Sequence, residues 1–321
     1  YPVKHLKLYL SSKHVLPMKI VKDILLNRNS ILVFAVIAGL IFGDYAPAIK
    51  DYNIFILGIT MTFSMTGLNL LLLNNPLKIG KTLLMGFVLN YLLFGAIILP
   101  IAWWLMPTNE LFYGFVVIVA APPGVAIIPF SHILKGKIDY AIIAVTGAFI
   151  SSIVVAPLVV EVLAKSKGIK PFNLFITMVE LVIIPLLLAQ VLRIKRLFPS
   201  IQKIRGKVVD WGFALLIFVA VGVNRDVFFT NPKILVLVVI TIAAGTFGLG
   251  LTFTLIAKRL KIPSDLTITQ NMLATIKSSG FSVFTALALF GKEAAIPSAI
   301  LAVMVLVYLI FLSLRTSNST K

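Results

Sequence analysis

A succession of long hydrophobic runs constrains this chain more than any other feature. Most of the runs approach the length of about 20 residues that an α-helix needs to cross the hydrocarbon core of a bilayer. Ten of them follow one another, at 30–45, 52–73, 82–105, 111–134, 140–163, 172–192, 208–223, 234–257, 265–290 and 294–314. Because backbone groups in lipid must be bonded within the protein, the sequence predicts an all-α integral membrane protein with ten transmembrane helices.

The composition supports this prediction. Hydrophobic residues make up 60% of the chain and charged residues 12%, whereas about a quarter of the residues in a soluble domain are charged. There is no cysteine, which excludes disulfides and thiolate metal sites, and the three histidines are too scattered to form a metal cluster. The sequence therefore predicts neither a metal site nor a cofactor.

The distribution of basic residues predicts the orientation in the membrane. Of the 29 Lys and Arg residues, 21 fall in segments that the ten runs place on one side, seven fall on the other side, and Lys277 falls within a run. Because basic residues concentrate on the cytoplasmic side, we expect a multi-pass protein of the cell membrane with both termini in the cytoplasm. The net charge of +18 then reflects topology and attraction to the anionic lipid bilayer, and no nucleic-acid partner is expected.

Two charged residues lie deep inside predicted spans. Lys277 lies in the run 265–290, and Glu180 lies near the middle of the run 172–192. A charge at the centre of a spanning helix costs roughly 3 kcal/mol or more, so it faces a partner or a water-filled cavity. The two residues form a coupled pair, a proton site or a structural ion pair. A third interpretation is that the span is misplaced and Glu180 lies at its end.

An internal repeat organises the ten runs. Pro122-Pro123-Gly124 interrupts the fourth run and Lys277-Ser278-Ser279-Gly280 interrupts the ninth, and each motif is followed by a Gly-Lys pair, at Gly136 and at Gly291. Each interruption lies in the fourth run of a set of five, and an odd number of spans inverts the second set, which is the signature of inverted-topology repeats. The predicted segments are a basic, partly interfacial N-terminal segment 1–29, a first repeat 30–163, a linker 164–171, a second repeat 172–314 and a cytoplasmic tail 315–321.

The two interruptions form the predicted substrate-binding site. Adjacent prolines remove backbone donors and glycine widens the allowed backbone angles, so the helix unwinds there. Unwound backbone at bilayer depth occurs only where it is buried in protein or lines a cavity, and half-helix ends attract ions. The predicted binding residues are Pro122, Pro123, Gly124, Lys277, Ser278, Ser279, Gly280, Asn69, Asn90 and Thr275, with Thr146, Gln270 and Asn271 as further polar candidates and with Lys277 and Glu180 as coupling residues.

These motifs resemble those of the bile acid:sodium symporters and their bacterial and archaeal relatives. The resemblance covers nearly the whole chain and rests on the Met-rich segment 61–70, on Pro122-Pro123-Gly124 with Lys135-Gly136-Lys137 downstream, and on Ser278-Ser279-Gly280. It implies a core domain and a panel domain, with spans four and nine crossing in the core. It also implies alternating access for an organic anion, such as a bile acid or a smaller carboxylate.

The sodium-site positions of that family are not matched here. The side chains that bind sodium in the family, which are hydroxyl, amide and glutamate groups, fall on apolar residues of this chain: Ile127, Ile128, Ala141, Val145 and Leu273. The glutamine that follows the family's glutamate falls on Lys277, whose ammonium supplies a positive charge itself. The resemblance therefore implies the fold and the transport class, but not sodium coupling.

We expect a secondary active transporter of a small organic anion that needs no sodium, in which Lys277 replaces the cation or contacts the substrate carboxylate. The alternative is a cation/proton exchanger of related fold, which would need adjacent buried carboxylates, and runs four and five contain none at mid-depth. A transporter-like receptor is a further alternative, although no loop is long enough to hold a soluble domain. An enzyme is not expected, because no HExxH, Gly-x-Ser-x-Gly or clustered histidine motif occurs. The substrate, the coupling mode, the direction of transport and the oligomeric state are not predicted.

Overall fold

The computed structural model describes residues 28–67, 76–124, 126–164 and 171–318, and in these residues the protein is helical and contains no β-strand. The helices of the first half are α1 (Arg28–Ile41), α2 (Ala46–Lys50), α3 (Asn53–Met65), α4 (Pro76–Phe87), α5 (Phe94–Leu105), α6 (Asn109–Ala120), α7 (Ile127–Ile133) and α8 (Ile138–Ala164). The helices of the second half are α9 (Pro171–Leu192), α10 (Phe198–Gly222), α11 (Arg225–Thr230), α12 (Pro232–Ala243), α13 (Leu249–Arg259), α14 (Ser264–Thr275), α15 (Ser279–Phe290) and α16 (Lys292–Asn318).

Helices occupy every hydrophobic run that the sequence shows. Four of the described helical stretches are long and apolar enough to cross a membrane by themselves, at Ile79–Leu105, Ile138–Ala164, Pro232–Arg259 and Lys292–Arg315. Shorter apolar helices include α3, which precedes the first of these stretches, and α6 and α15, which lie between them. The architecture is that of an all-helical, multi-pass membrane protein, as the composition predicts.

Several predicted boundaries differ from the helix ends. In the run 30–45, α1 ends at Ile41 and the chain turns by 87° into the segment 43–50, where Gly43 packs directly on the backbone of Gly222. Helix α10 begins ten residues before the predicted start of its run at 208, since hydropathy marks the apolar part of a helix and not its charged extension. The predicted segment 1–29 and the linker 164–171 lie almost wholly outside the described residues.

Two π-helical stretches interrupt long helices. One, at Val88–Leu93, lies between α4 and α5, and the other, at Ala244–Gly248, lies between α12 and α13. Such stretches are rare and are frequent at functional sites, since they alter which backbone groups are bonded within the helix. Each stretch lies in the hydrophobic run immediately before one that is interrupted. Helix α14 packs against both stretches.

The helices pack in two groups, which we call the panel group (α1, α3, α9 and α10) and the core group (α4 to α8 and α12 to α16). Within the panel group, Gly39 of α1 and Gly212 of α10 let neighbouring helices approach closely, as small residues do in membrane proteins. Between the groups, Gly280 of α15 lies against the ring of Phe213 in α10. The interrupted helices therefore belong to the core group and face the panel group.

Candidate functional site

Two helix interruptions meet inside the core group. We call residues 121–124 and 126, between α6 and α7, the first break, and residues 276–278, between α14 and α15, the second break. The Gly124 N–H donates to the Ile276 carbonyl at 3.1 Å, and the Ser278 N–H donates to the Pro122 carbonyl at 2.9 Å. The two breaks thus form a short antiparallel bridge in which Pro123 lies opposite Lys277. This pairing satisfies backbone groups that would otherwise be unbonded at bilayer depth.

The two breaks arise from different local causes. In the first, Ala121 precedes a proline and has the extended backbone that this position favours, with ψ of 145°. In the second there is no proline, yet Ile276 is also extended, with φ of −105° and ψ of 109°. The Ile276 carbonyl accepts a hydrogen bond from the Gly124 N–H. The bridge to the first break therefore stabilises the extended backbone of the second break.

The Lys277 side chain is enclosed by neutral oxygen atoms. Lys277 is 2% exposed, and its Nζ donates to Asn90 Oδ1 at 2.7 Å, to the Asn90 carbonyl at 3.1 Å and to the Val119 carbonyl at 2.9 Å. It also lies 4.4 Å from the ring centroid of Tyr91 and 5.5 Å from that of Phe94, distances at which a cation is attracted to the ring face. The Val119 carbonyl belongs to the C-terminal end of α6, where the helix dipole also favours a cation.

The first π-helical stretch positions the acceptors of this ammonium. Asn90 is fully buried in Val88–Leu93, and both of its oxygen atoms are directed at Lys277. Its Nδ2 donates to the Leu273 carbonyl at 3.3 Å, which ties the stretch to α14. The hydroxyl of Tyr91 donates to the Ala148 carbonyl of α8 at 2.9 Å and so fixes the ring beside the ammonium. The site is therefore held by α4–α5, α6, α8 and α14.

The structure does not bring Glu180 to Lys277. Glu180 is an exposed residue of α9 in the panel group, whereas the Lys277 ammonium is buried in the core group. Among the described residues, no carboxylate lies within ion-pair distance of Lys277 Nζ. The geometry therefore does not support the predicted coupling pair, and the ammonium is a buried positive charge that neutral dipoles stabilise.

A small cavity of about 40 Å³ adjoins the two breaks. Gly124, Lys277, Ser278 and Ser279 line it from the core group, and Phe213 is among the residues that line it from the panel group. Helix α15 begins there with no side-chain cap, so its first N–H groups have no partner within the helix. The cavity has room for a few water molecules at most, so the panel and core groups lie closed against each other over the breaks.

The other predicted polar residues are bonded within the protein. The Thr146 and Thr275 hydroxyls donate to backbone carbonyls four residues earlier in their own helices. Gln270 donates to the Tyr140 hydroxyl at 3.0 Å, and Asn271 donates to the Gly250 carbonyl at 2.6 Å. Gln270 and Asn271 thus join α14 to neighbouring helices, and none of the four side chains lines the small cavity. Asn69, another predicted binding residue, lies outside the described residues.

Sequence reasoning did not find three of the groups around the ammonium. The Val119 contact is made by a backbone carbonyl, which leaves no signature in a sequence. Tyr91 and Phe94 are aromatic residues of an apolar helix, where packing is the ordinary explanation for such side chains. Their position next to Asn90, one and four residues along, was the available signal for a cation-binding surface.

The positions that hold sodium ligands in the resembled family are buried here. Ile127, Ala141, Val145 and Leu273 are fully buried, and Ile128 is partly buried. None of these side chains carries an oxygen, and the Leu273 carbonyl already accepts the Asn90 amide. The only positive charge that the described structure brings to this region is the ammonium of Lys277.

Comparison with known proteins agrees with this architecture. The sodium bile acid symporter family matches residues 54–231, which is more than half of the 321 residues and includes the first break and Asn90 but not Lys277. A Bacillus subtilis (strain 168) protein, YocS, named as an uncharacterized sodium-dependent transporter, is 26% identical over 285 residues, which cover 85% of each chain. Apolar spanning helices, paired breaks and this match together show that the chain is a membrane transporter belonging to the sodium bile acid symporter family.

Proposed function

We propose that this transporter carries a small organic anion by alternating access and requires no sodium, because the Lys277 ammonium takes the place of the bound cation. One observation carries the proposal: three oxygen atoms from Asn90 and Val119 surround a buried ammonium that has no carboxylate partner among the described residues. Carbonyl and amide oxygen atoms of this kind also coordinate monovalent metal cations. Here the cation is covalently attached to the chain.

The cost of burying this charge supports a functional explanation. The effective penalty for burying an ammonium is several kcal/mol, and hydrogen bonds to a charged group each return about 1.5–3 kcal/mol. A glutamine or a methionine would avoid the penalty at this position. A positive charge beside the two breaks stabilises an anion bound there, whereas an apolar residue would not.

The small cavity is the proposed place for the substrate's anionic group. The uncapped start of α15 offers backbone N–H groups with positive potential, and Ser278 and Ser279 lie at that start. Ligand pockets usually measure about 300–1,000 Å³, so a cavity of about 40 Å³ must enlarge before a carboxylate enters. Separation of the panel group from the core group would open it, in keeping with alternating access.

We also propose that ten spans form two inverted repeats with both termini in the cytoplasm. Supporting observations are the breaks at equivalent places, a π-helical stretch one run before each break, and the asymmetry of the basic residues. Reporter fusions after Arg315 are expected to behave as cytoplasmic, and fusions within 165–170 as external. The opposite labelling would overturn the arrangement.

The transport proposal is tested in two steps. A panel of carboxylates, from small dicarboxylates to bile acids, is first screened for ligands that raise the melting temperature of the detergent-purified protein. Uptake of the stabilising anion into proteoliposomes is then measured with sodium, potassium or choline as the external cation. We expect equal rates in all three. Uptake only in sodium, as the name of the Bacillus subtilis relative would suggest, would show that Lys277 does not replace the cation.

A further inference from the structure

A second cavity lies within the core group, away from the two breaks. It has a volume of about 340 Å³, is open to the outside, and is lined by α13, α14, α16 and the residue that follows α7, Leu134. We propose that this cavity binds the headgroup and the adjoining acyl chain of an anionic phospholipid. The inference concerns a separate site and does not depend on the substrate or the coupling of the transporter.

The charge of the cavity selects an anion. Lys258, in the last turn of α13, and Arg315, near the end of α16, both line it. No aspartate or glutamate is among the described residues that line it, so this lining offers the two cations no counter-charge. Both side chains belong to exposed residues at the ends of long apolar helices, which is the depth of lipid headgroups.

The remaining lining has two chemical parts. Among its hydroxyl residues, Ser264 at the start of α14 can donate to a phosphate oxygen, whereas Thr254 and Thr267 donate to backbone carbonyls of the protein. Leu134, Ile268 and Leu312 form an apolar wall, and most of the cavity surface is apolar. A free phosphate ion would leave this wall against water, whereas a phospholipid covers it with hydrocarbon. The lining therefore fits an amphipathic anion better than an inorganic one.

Asn271, which lines the cavity, joins three helices by hydrogen bonds. This residue donates to the Gly250 carbonyl and to the Thr254 hydroxyl, and accepts from the Tyr308 hydroxyl of α16. A ligand that fills the cavity therefore contacts the bonded helices together, and it should stabilise the folded protein by mass action. Anionic lipid is expected to raise the melting temperature more than zwitterionic lipid does.

The experiment uses the full chain purified in detergent. Phosphatidylglycerol and phosphatidylcholine with identical acyl chains are added separately, and lipid retention by native mass spectrometry and the melting temperature are measured. The test variant is Lys258→Gln with Arg315→Gln. The matched control is Lys203→Gln with Lys207→Gln, which removes two exposed cations from α10. We expect the wild type and the control to bind phosphatidylglycerol at least tenfold more tightly than phosphatidylcholine, and the test variant to lose this preference.

Other outcomes would overturn the proposal. Equal binding of the two lipids by the wild type, or an unchanged preference in the test variant, would show that the cavity does not select the headgroup. Glycerol 1-phosphate is a third arm; stabilisation equal to that by the lipid would indicate a site for small anions instead. The charge-conserving variant Lys258→Arg should keep the preference, which separates loss of charge from loss of fold if the double variant is unstable.

Discussion

The two breaks form one paired structure, but their chemistry differs. The first break carries two prolines and a glycine and no charge, so its own covalent structure unwinds the helix. The second break has no proline; it contains Lys277, and its extended backbone is bonded to the first break. The comparison indicates a division of roles. The first break supplies the shape of the crossing, and the second supplies its charge.

The largest expected effect tests the charge of the second break. Lys277→Gln should reduce anion uptake by about tenfold or more, equivalent to about 1.4 kcal/mol or more, because the positive charge beside the breaks is lost. Glutamine still donates to Asn90, and loss of the buried charge removes its desolvation penalty, so the melting temperature should change little. Uptake and melting temperature are measured together, with exposed Lys292→Gln as the control. Normal uptake by Lys277→Gln would show that the charge of the second break is not needed for transport.

The next effect tests what holds that charge. Asn90→Leu removes the shortest contact of the ammonium, so the free energy of unfolding should fall by about 1.5–3 kcal/mol. Adding Lys277→Gln to this variant should restore part of the loss, since the buried charge is then absent. Denaturant unfolding measures both changes. The control is Asn53→Leu, because neither side-chain polar atom of this buried asparagine has a hydrogen-bond partner among the described residues, and it should cost far less. Equal losses in the two variants would contradict the assignment.

The glycines beside the two breaks give a sharper comparison. A methyl group at Gly280 would overlap the Phe213 ring of the panel group, whereas one at Gly124 would lie 3.0 Å from a movable Ile276 methyl. Gly280→Ala should therefore destabilise the protein by about 1–3 kcal/mol, and Gly124→Ala by less. Melting temperatures rank the two variants, and Phe213→Leu should relieve Gly280→Ala but not Gly124→Ala. The reverse ranking would show that the first break is the tighter of the two.

The smallest expected effect concerns Glu180. This exposed residue of α9 does not reach the second break, so its replacement should act independently of Lys277. In a double-mutant cycle of Glu180→Gln and Lys277→Gln, the coupling free energy should be below about 0.5 kcal/mol. Unfolding free energies of the four proteins give this value. A coupling above about 1 kcal/mol would restore the ion-pair hypothesis that the sequence suggested.

Local chemistry made much of this site predictable. Pro122-Pro123-Gly124 interrupts a helix wherever it occurs, and a lysine within a hydrophobic run must be buried or solvated, so both breaks were located before the structure. The sequence offers Glu180 as a candidate partner of Lys277, because residue type alone points to a carboxylate, but it does not decide whether the two residues pair. Asn90 was predicted only as a polar liner of the site.

The rest depended on contacts between distant segments. The bonds from Lys277 to Asn90 and Val119 join residues 187 and 158 positions apart, and no local pattern encodes such pairs. The π-helical stretch that directs both Asn90 oxygens toward Lys277 has no characteristic residue pattern, so the sequence does not reveal it. The cavity at Lys258 and Arg315 lies where the ends of three helices converge. In the sequence, each of these residues is only one of the basic residues that the positive-inside rule places at helix ends.

The order of the chain has a consequence for how the protein enters the membrane. Asn90 and Val119 are synthesised before Lys277, and at about 5–20 residues per second the interval from Asn90 is roughly 10–40 s. The acceptors thus leave the ribosome well ahead of the ammonium that they will hold. If the order were reversed, a lysine in a polar half-helix would meet lipid with no partner present. This order predicts that the acceptors of the first half are already in the membrane when the Lys277 ammonium arrives.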